Sequence, residues 1–195
     1  MRKLVLASTS AYRQRLLETL NRDFVCHGPN VDEQALPGET PANLVARLAV
    51  NKAQAVAPTY PDALVIGSDQ IALLDGAIIT KPLTHERARA QLKAASHRQV
   101  QFLTGLCLYN TLTHGSQVDV IATSVTFRSL NDDQIEYYLQ SEKPYDCAGS
   151  FKAEGLGIAL FESIHGDDPN ALIGLPLIRL VAMLAHEGVD VLLPE

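Results

Sequence analysis

The chain has 195 residues, 47% of them hydrophobic and 19% charged, which fits one globular domain with a sizeable core and excludes a disordered chain. A net charge of −6 excludes a polyanion such as DNA as the main partner, since phosphate contacts need a basic face; a small anion held in a local basic pocket stays allowed. Cys26, Cys107 and Cys147 are odd in number, far apart and without a CxxC pair, so they suggest neither a zinc site nor a disulfide framework and read as reduced thiols.

In chain order, Lys3 to Ala7 reads as a short buried strand, and the apolar run from Met1 to Ala7 is too short for a signal peptide. No stretch approaches the length of a membrane span, so the expectation is a cytoplasmic protein with no membrane partner. Ser10 can cap a helix through about Asn21, with Leu16, Leu17 and Leu20 inward. A second strand covers Phe24 to His27. Thr40 then caps a helix that has Pro41 at its first position, with Leu44, Val45, Leu48, Ala49, Ala53 and Val56 at helical spacing.

Ala63 to Ile66 reads as a buried strand that Ile71 to Leu74 continues, and Asp75-Gly76 turns it into a short strand, Ala77 to Ile79. Thr84 opens a helix to about Ala95. Val100 to Tyr109 and Val118 to Phe127 read as paired long strands. Asn131 caps a helix to about Gln140, Gly157 to Phe161 reads as a short strand, and Pro176 starts a last helix to His186. With no repeat or linker, residues 1–195 read as a single domain of α/β class with a mixed sheet.

Several polar groups stand where packing alone favours apolar ones. Gly67-Ser68-Asp69-Gln70 interrupts the apolar run from Ala63 to Leu74. Either the segment is a loop with Asp69 solvated, or Asp69 is a buried carboxylate that must meet a cation or metal. Lys52 falls on the inward stripe of its helix, either snorkelling at the edge or reaching a phosphate or carboxylate. Ser8-Thr9-Ser10 and Arg13 surround a strand–helix junction that offers ordinary capping or an anion cradle. There is no GxxxxGK[ST] and no GxGxxG, which excludes a P-loop grip on phosphate. Taken singly, Glu33 reads as part of a polar loop, Lys81 of a solvated turn, the segment Ser150 to Gly155 as a surface loop and Asp167 to Asn170 as a turn. Together these residues supply carboxylates for a divalent ion and cations for phosphates, the inventory for cutting a phosphoanhydride.

Seven segments in order resemble the Maf family across essentially the whole chain: Leu6 to Arg13, Val31 to Glu33, Ala49 to Ala53, Ile66 to Gln70, Lys81 to Leu83, Cys147 to Phe151, and Gly166 with Pro169-Asn170 and Gly174 to Pro176. The resemblance implies a single elongated α/β domain, a mixed twisted sheet flanked by helices around a cleft, related to inosine triphosphate pyrophosphatases. It implies hydrolysis of a nucleoside triphosphate to the monophosphate and pyrophosphate with Mg²⁺ or Mn²⁺ as cofactor. It further implies Asp69 as catalytic carboxylate, Glu33 and Asp69 at the metal, and Ser8, Arg13, Lys52 and Lys81 around the phosphates. A small nucleotide is the expected partner, and a homodimer is expected from the family alone.

Substrate branch rests on three positions. The branch acting on ordinary pyrimidine nucleotides has Arg, Thr and Gln where this chain has Tyr12, Gln70 and Glu154. The 7-methylguanine branch is similar at Gln70 and Glu154 and usually carries Trp at the position of Tyr12. The expected activity is therefore on 7-methyl-GTP. The alternatives are a pyrophosphatase for ordinary pyrimidine or other damaged nucleotides, and a non-catalytic regulator of septum formation, a role with which the family has been associated.

Overall fold

The computed structural model describes residues 2–193. Its elements in chain order are β1 (Lys3–Leu6), α1 (Ala11–Glu18), β2 (Phe24–Cys26), α2 (Pro41–Val56), β3 (Ala63–Leu74), β4 (Ala77–Ile79), α3 (His85–Ala95), β5 (Gln99–Asn110), β6 (Ser116–Phe127), α4 (Asp132–Glu142), β7 (Phe161–Gly166) and α5 (Leu177–His186), with short 3-10 turns between some of them. The strands form one mixed sheet in the order β2-β1-β3-β5-β6-β7, with β4 paired to β3. The fold class is α/β, as the alternation of elements predicts.

The chain divides into two compact units, and β3, β5 and β6 contribute to both. The first comprises Met1–Asp69, Thr104–Ile121 and Asp168–Glu195. Here β1 runs parallel to both β2 and β3, in the register Leu6↔Cys26 and Leu6↔Ile66. Alternate strand residues go to opposite faces. Leu4, Leu6, Leu64 and Ile66 pack with Leu16 and Leu17 of α1 and with Leu180 and Leu184 of α5, while Val5, Ala7, Val65 and Ala63 pack with Ala49, Ala53 and Val56 of α2. Both faces of the parallel strands are thus covered, which explains why they read as continuous apolar runs.

The second unit comprises Gln70–Leu103 and Ala122–Asp167. The far half of β3 turns at Asp75-Gly76, both at positive φ, into antiparallel β4, as the hairpin signal predicts. Phe102, Phe127, Phe151 and Phe161 interlock edge-to-face, with Phe151 and Phe161 at 4.7 Å between centroids. Helix α4 begins with a full capping box from Asn131 and Gln134.

One alternative left open by the sequence is decided and one expectation is corrected. Of the two readings of Gly67 to Gln70 the buried one holds: β3 runs unbroken from Ala63 to Leu74, and Ser68 and Asp69 are buried within it. Extended backbone is retained because each polar group finds a buried partner, as described below. Gly157 to Phe161 is not a strand. Leu156–Leu160 forms a 3-10 turn, closed by bonds such as Ile158 N–H to the Gly155 carbonyl, and the strand begins only at Phe161. A short apolar run carries no periodicity that separates the two.

Candidate active site

The polar centre of the first unit is built where α2 lies against β3. A methyl group at Gly67 would stand 2.0 Å from the Ala49 carbonyl oxygen, and one at Gly105 would stand 2.2 Å from that of Val45. Only a residue without Cβ lets the helix come this close. Lys52, one turn after Ala49, is thereby carried onto Asp69, two residues after Gly67. Its ammonium donates to Asp69 Oδ1 at 2.5 Å and pairs with Glu33 Oε1 at 2.6 Å. The Lys52 and Asp69 side chains are 8% and 11% exposed, that of Glu33 60%. A buried carboxylate and a buried ammonium each cost several kcal/mol alone, so the two hold each other in place.

Glu33 lies on the segment between β2 and α2, and Arg47 of α2 ties that segment down. The Arg47 guanidinium donates to the Gln34 carbonyl at 2.9 Å and grips both oxygens of Glu39 at 2.6 and 2.8 Å. That bidentate pair pulls the Glu39 carboxyl down to about 2. Thr40 caps α2 by accepting from the Asn43 N–H, as expected.

At the end of β1, buried Ser8 accepts from the Ser10 N–H at 3.1 Å, and Ser10 caps α1 by accepting from the Arg13 N–H at 3.4 Å. Arg13 Nε donates to the Gly174 carbonyl at 2.8 Å. Burial pushes the Arg13 guanidinium below its ordinary value, and the Asp69 and then the Glu33 carboxylates oppose that shift. It stays cationic, since a guanidinium does not lose its proton in proteins.

The structure therefore brings together Arg13, Glu33, Lys52 and Asp69 of the expected set, with Ser8 at the neighbouring strand end. Tyr12 is half-buried on α1, beside Arg13 in the chain. Gln70 continues β3 directly from Asp69. Lys81 and Glu154 belong to the second unit, and both are exposed. The segment bearing Glu154 is fastened to α4: Lys152 Nζ donates to the Glu142 carbonyl at 2.7 Å, and Glu142 Oε1 accepts from the Leu156 N–H at 2.8 Å. Leu83, two residues after Lys81, donates its N–H to the Tyr145 carbonyl at 3.0 Å.

Sequence reasoning gave neither Ser68 nor Gly174 a role of its own, although both lie in segments it singled out. Ser68 Oγ donates to the same Gly174 carbonyl oxygen at 2.9 Å, so one oxygen accepts from both Ser68 and Arg13. Asp168, in the segment read as a turn, is buried and accepts from the Asn170 and Ile178 N–H groups, the latter in the first turn of α5. A mandatory polar partner for each buried backbone group is the signal that could have found it.

Two carboxylates converging on one cation test whether a divalent ion fits. Among the described residues no three His, Cys, Asp or Glu side chains cluster, so an all-protein cage is not formed. Glu33 and Asp69 supply two hard oxygen donors, and Mg²⁺ is commonly held by one or two carboxylates, with substrate phosphates and water completing the shell. The donor set fits that mode.

The model of the family described as Maf-like protein matches residues 3–187. The chain belongs to the Maf family. This Maf protein is 58% identical over 191 residues to a protein of Pseudomonas syringae pv. tomato named 7-methyl-GTP pyrophosphatase, covering 98% of this chain and 100% of that one. Proteins of the same name from Methylobacillus flagellatus and Nitrosococcus oceani are 55% and 56% identical, over 98% and 97% of this chain and 100% and 95% of theirs. Among solved structures, the Staphylococcus aureus Ham1 protein matches with a TM-score of 0.50 at 14% identity, over 95% of this chain and all of that one, which shows a shared fold. Among the described residues no helix is long and apolar enough to cross a membrane.

Proposed function

We propose that this Maf protein hydrolyses 7-methyl-GTP to 7-methyl-GMP and pyrophosphate. The observation that carries the reading is the buried Lys52–Asp69 pair with Glu33 and Arg13 beside it, in a family whose relatives at 55–58% identity bear that activity in their name. In the reaction a water oxygen forms a bond to the α-phosphorus and the bond from that phosphorus to the α,β-bridging oxygen breaks. Pyrophosphate leaves, and the water's proton passes to Asp69. Lys52 donates to Asp69 Oδ1 and fixes the orientation of the carboxylate that takes it. Glu33 and Asp69 would hold a divalent ion, Mg²⁺ or Mn²⁺, which neutralises charge on the phosphates. Arg13, Lys52, Lys81 and the Ser8 hydroxyl hold the triphosphate in line, which is most of what a protein contributes to phosphoryl-type transfer.

Base choice follows from charge. Methylation at N7 makes guanine a cation, and Tyr12 stacked on it contributes about 0.5–2 kcal/mol. Glu154 accepts from N1–H and the 2-amino group, a charge-assisted pair worth about 1.5–3 kcal/mol. Gln70 completes the base-reading set. Free nucleotide, rather than nucleic acid, is the substrate, and the reduced thiols fit action in the cytoplasm.

The direct test is pyrophosphate release with Mg²⁺ across 7-methyl-GTP, GTP, UTP, dTTP, CTP, ITP and ATP. The expected leader is 7-methyl-GTP, with kcat/KM about 10- to 1,000-fold above GTP. A lead for UTP or dTTP overturns the base assignment, and no release from any nucleotide overturns the enzyme reading. Glu154→Gln keeps the shape but removes the charge. It is expected to narrow the preference for 7-methyl-GTP over GTP by about 10-fold, activity on the cationic base falling further than on GTP, which offers the same N1–H and 2-amino donors without the charge. An equal loss on every nucleotide would count against base reading by Glu154.

A further inference from the structure

The loop from Asp168 to Pro176 is bonded from end to end. The Asp168 carboxylate accepts from the Asn170 and Ile178 N–H groups at 2.9 and 2.7 Å, and the Asn170 carbonyl accepts from the Ile173 and Gly174 N–H groups, both at 3.1 Å. Buried Thr104 donates its hydroxyl to the Ala171 carbonyl at 2.9 Å. The loop ends at Gly174, whose φ of +120° is closed to ordinary L residues and whose Cα hydrogen side faces Arg13: a Cβ there would stand 3.4 Å from Nε and 3.7 Å from Nη2. The carbonyl of this residue accepts from Arg13 Nε at 2.8 Å and from the fully buried Ser68 Oγ at 2.9 Å.

A guanidinium recognises an oxyanion through one of two forks, Nε with one Nη, or Nη1 with Nη2. Nε is committed to Gly174, which leaves the end-on fork. We propose that Ser68 and Gly174 are positioning residues: they fix Arg13 so that its Nη1/Nη2 edge, and no other, meets a substrate phosphate. Ser68 sets the direction of the carbonyl, and the carbonyl sets the plane of the guanidinium. Because Ser68 immediately precedes Asp69 on β3, the same stretch of strand registers the phosphate-holding cation against the proton acceptor. This inference rests on the proposed role of Arg13 in holding phosphate.

The test is a double-mutant cycle on kcat/KM for 7-methyl-GTP with Mg²⁺, read for the wild type, Arg13→Ala, Ser68→Ala and the double variant, each checked for folding by thermal unfolding. Arg13→Ala is expected to lose about 100-fold and Ser68→Ala about 10-fold, with the double variant no worse than Arg13→Ala alone. Multiplying losses in the double variant would make Ser68 independent of Arg13 and overturn the inference while leaving the phosphate role intact. An Arg13→Ala enzyme of undiminished activity would instead remove the phosphate role, and the inference with it. A second readout needs no variant to fold. In the wild-type protein, the Arg13 Nε–H proton is expected to exchange with solvent more slowly than those of exposed arginines in its NMR spectrum. Exchange as fast as theirs would overturn the Gly174 anchor.

Discussion

Asp69→Asn is expected to lower kcat on 7-methyl-GTP by about 10³-fold or more, within the range that loss of a general base produces. The substitution keeps the size of the side chain and lets its carbonyl oxygen accept from Lys52, now at 2.5 Å from Oδ1. It removes the group that can take the water's proton. One negative charge also leaves the neighbourhood of Arg13 and Lys52, which offsets the loss of one proposed metal ligand, so nucleotide binding in Mg²⁺ should survive. Rapid-mixing measurements of pyrophosphate release, alongside calorimetric nucleotide binding in Mg²⁺, separate the two effects. Near-normal turnover would remove Asp69 from the chemistry. Lost binding with normal turnover at saturation would make it a binding group instead.

Gly67→Ala should be the most damaging single methyl group in the first unit. Its Cβ would fall 2.0 Å from the Ala49 carbonyl oxygen and 2.9 Å from the Ala53 nitrogen, both backbone atoms that no rotamer change can move aside. Helix α2 must then back away from β3, at the upper end of the usual overpacking cost, about 3 kcal/mol. For a chain of this size that corresponds to a fall in Tm of about 6–12 °C. Lys52 rides on the same helix, so any protein that still folds should have lost the Lys52–Asp69 contact and with it most of its turnover. A Tm within 2 °C of the wild type and unimpaired kcat would show that the close approach of α2 to β3 is not needed.

Local signals in the sequence decided much of the architecture. The caps Ser10, Thr40, Thr84 and Asn131 each accept from the N–H three residues on, where the sequence put helix starts. Asp75-Gly76 turns the hairpin, and the apolar runs of β1 and β3 lie between covering helices. These features depend on interactions within a few residues, or on a period of 2 or 3.6 that any apolar face imposes. Polar residues out of place, Lys52 on an inward stripe and Asp69 in an apolar run, pointed to a site, yet each had an equally good solvated reading.

Tertiary structure decided between those readings. Whether Asp69 is buried depends on a lysine 17 residues away reaching it, and that depends on Gly67 admitting α2. The part played by Gly174 depends on Ser68, 106 residues distant, and Arg13, 161 residues distant, sharing one carbonyl oxygen. The 3-10 turn at Leu156–Leu160 likewise came from backbone bonds rather than from its apolar composition. Sequence by itself determined which segments are helix or strand at their capped and periodic stretches, because those energies are local. The partners of buried charges and the register of close-packed backbones were settled only in the folded chain, because desolvation and contact distance have no value until distant residues meet.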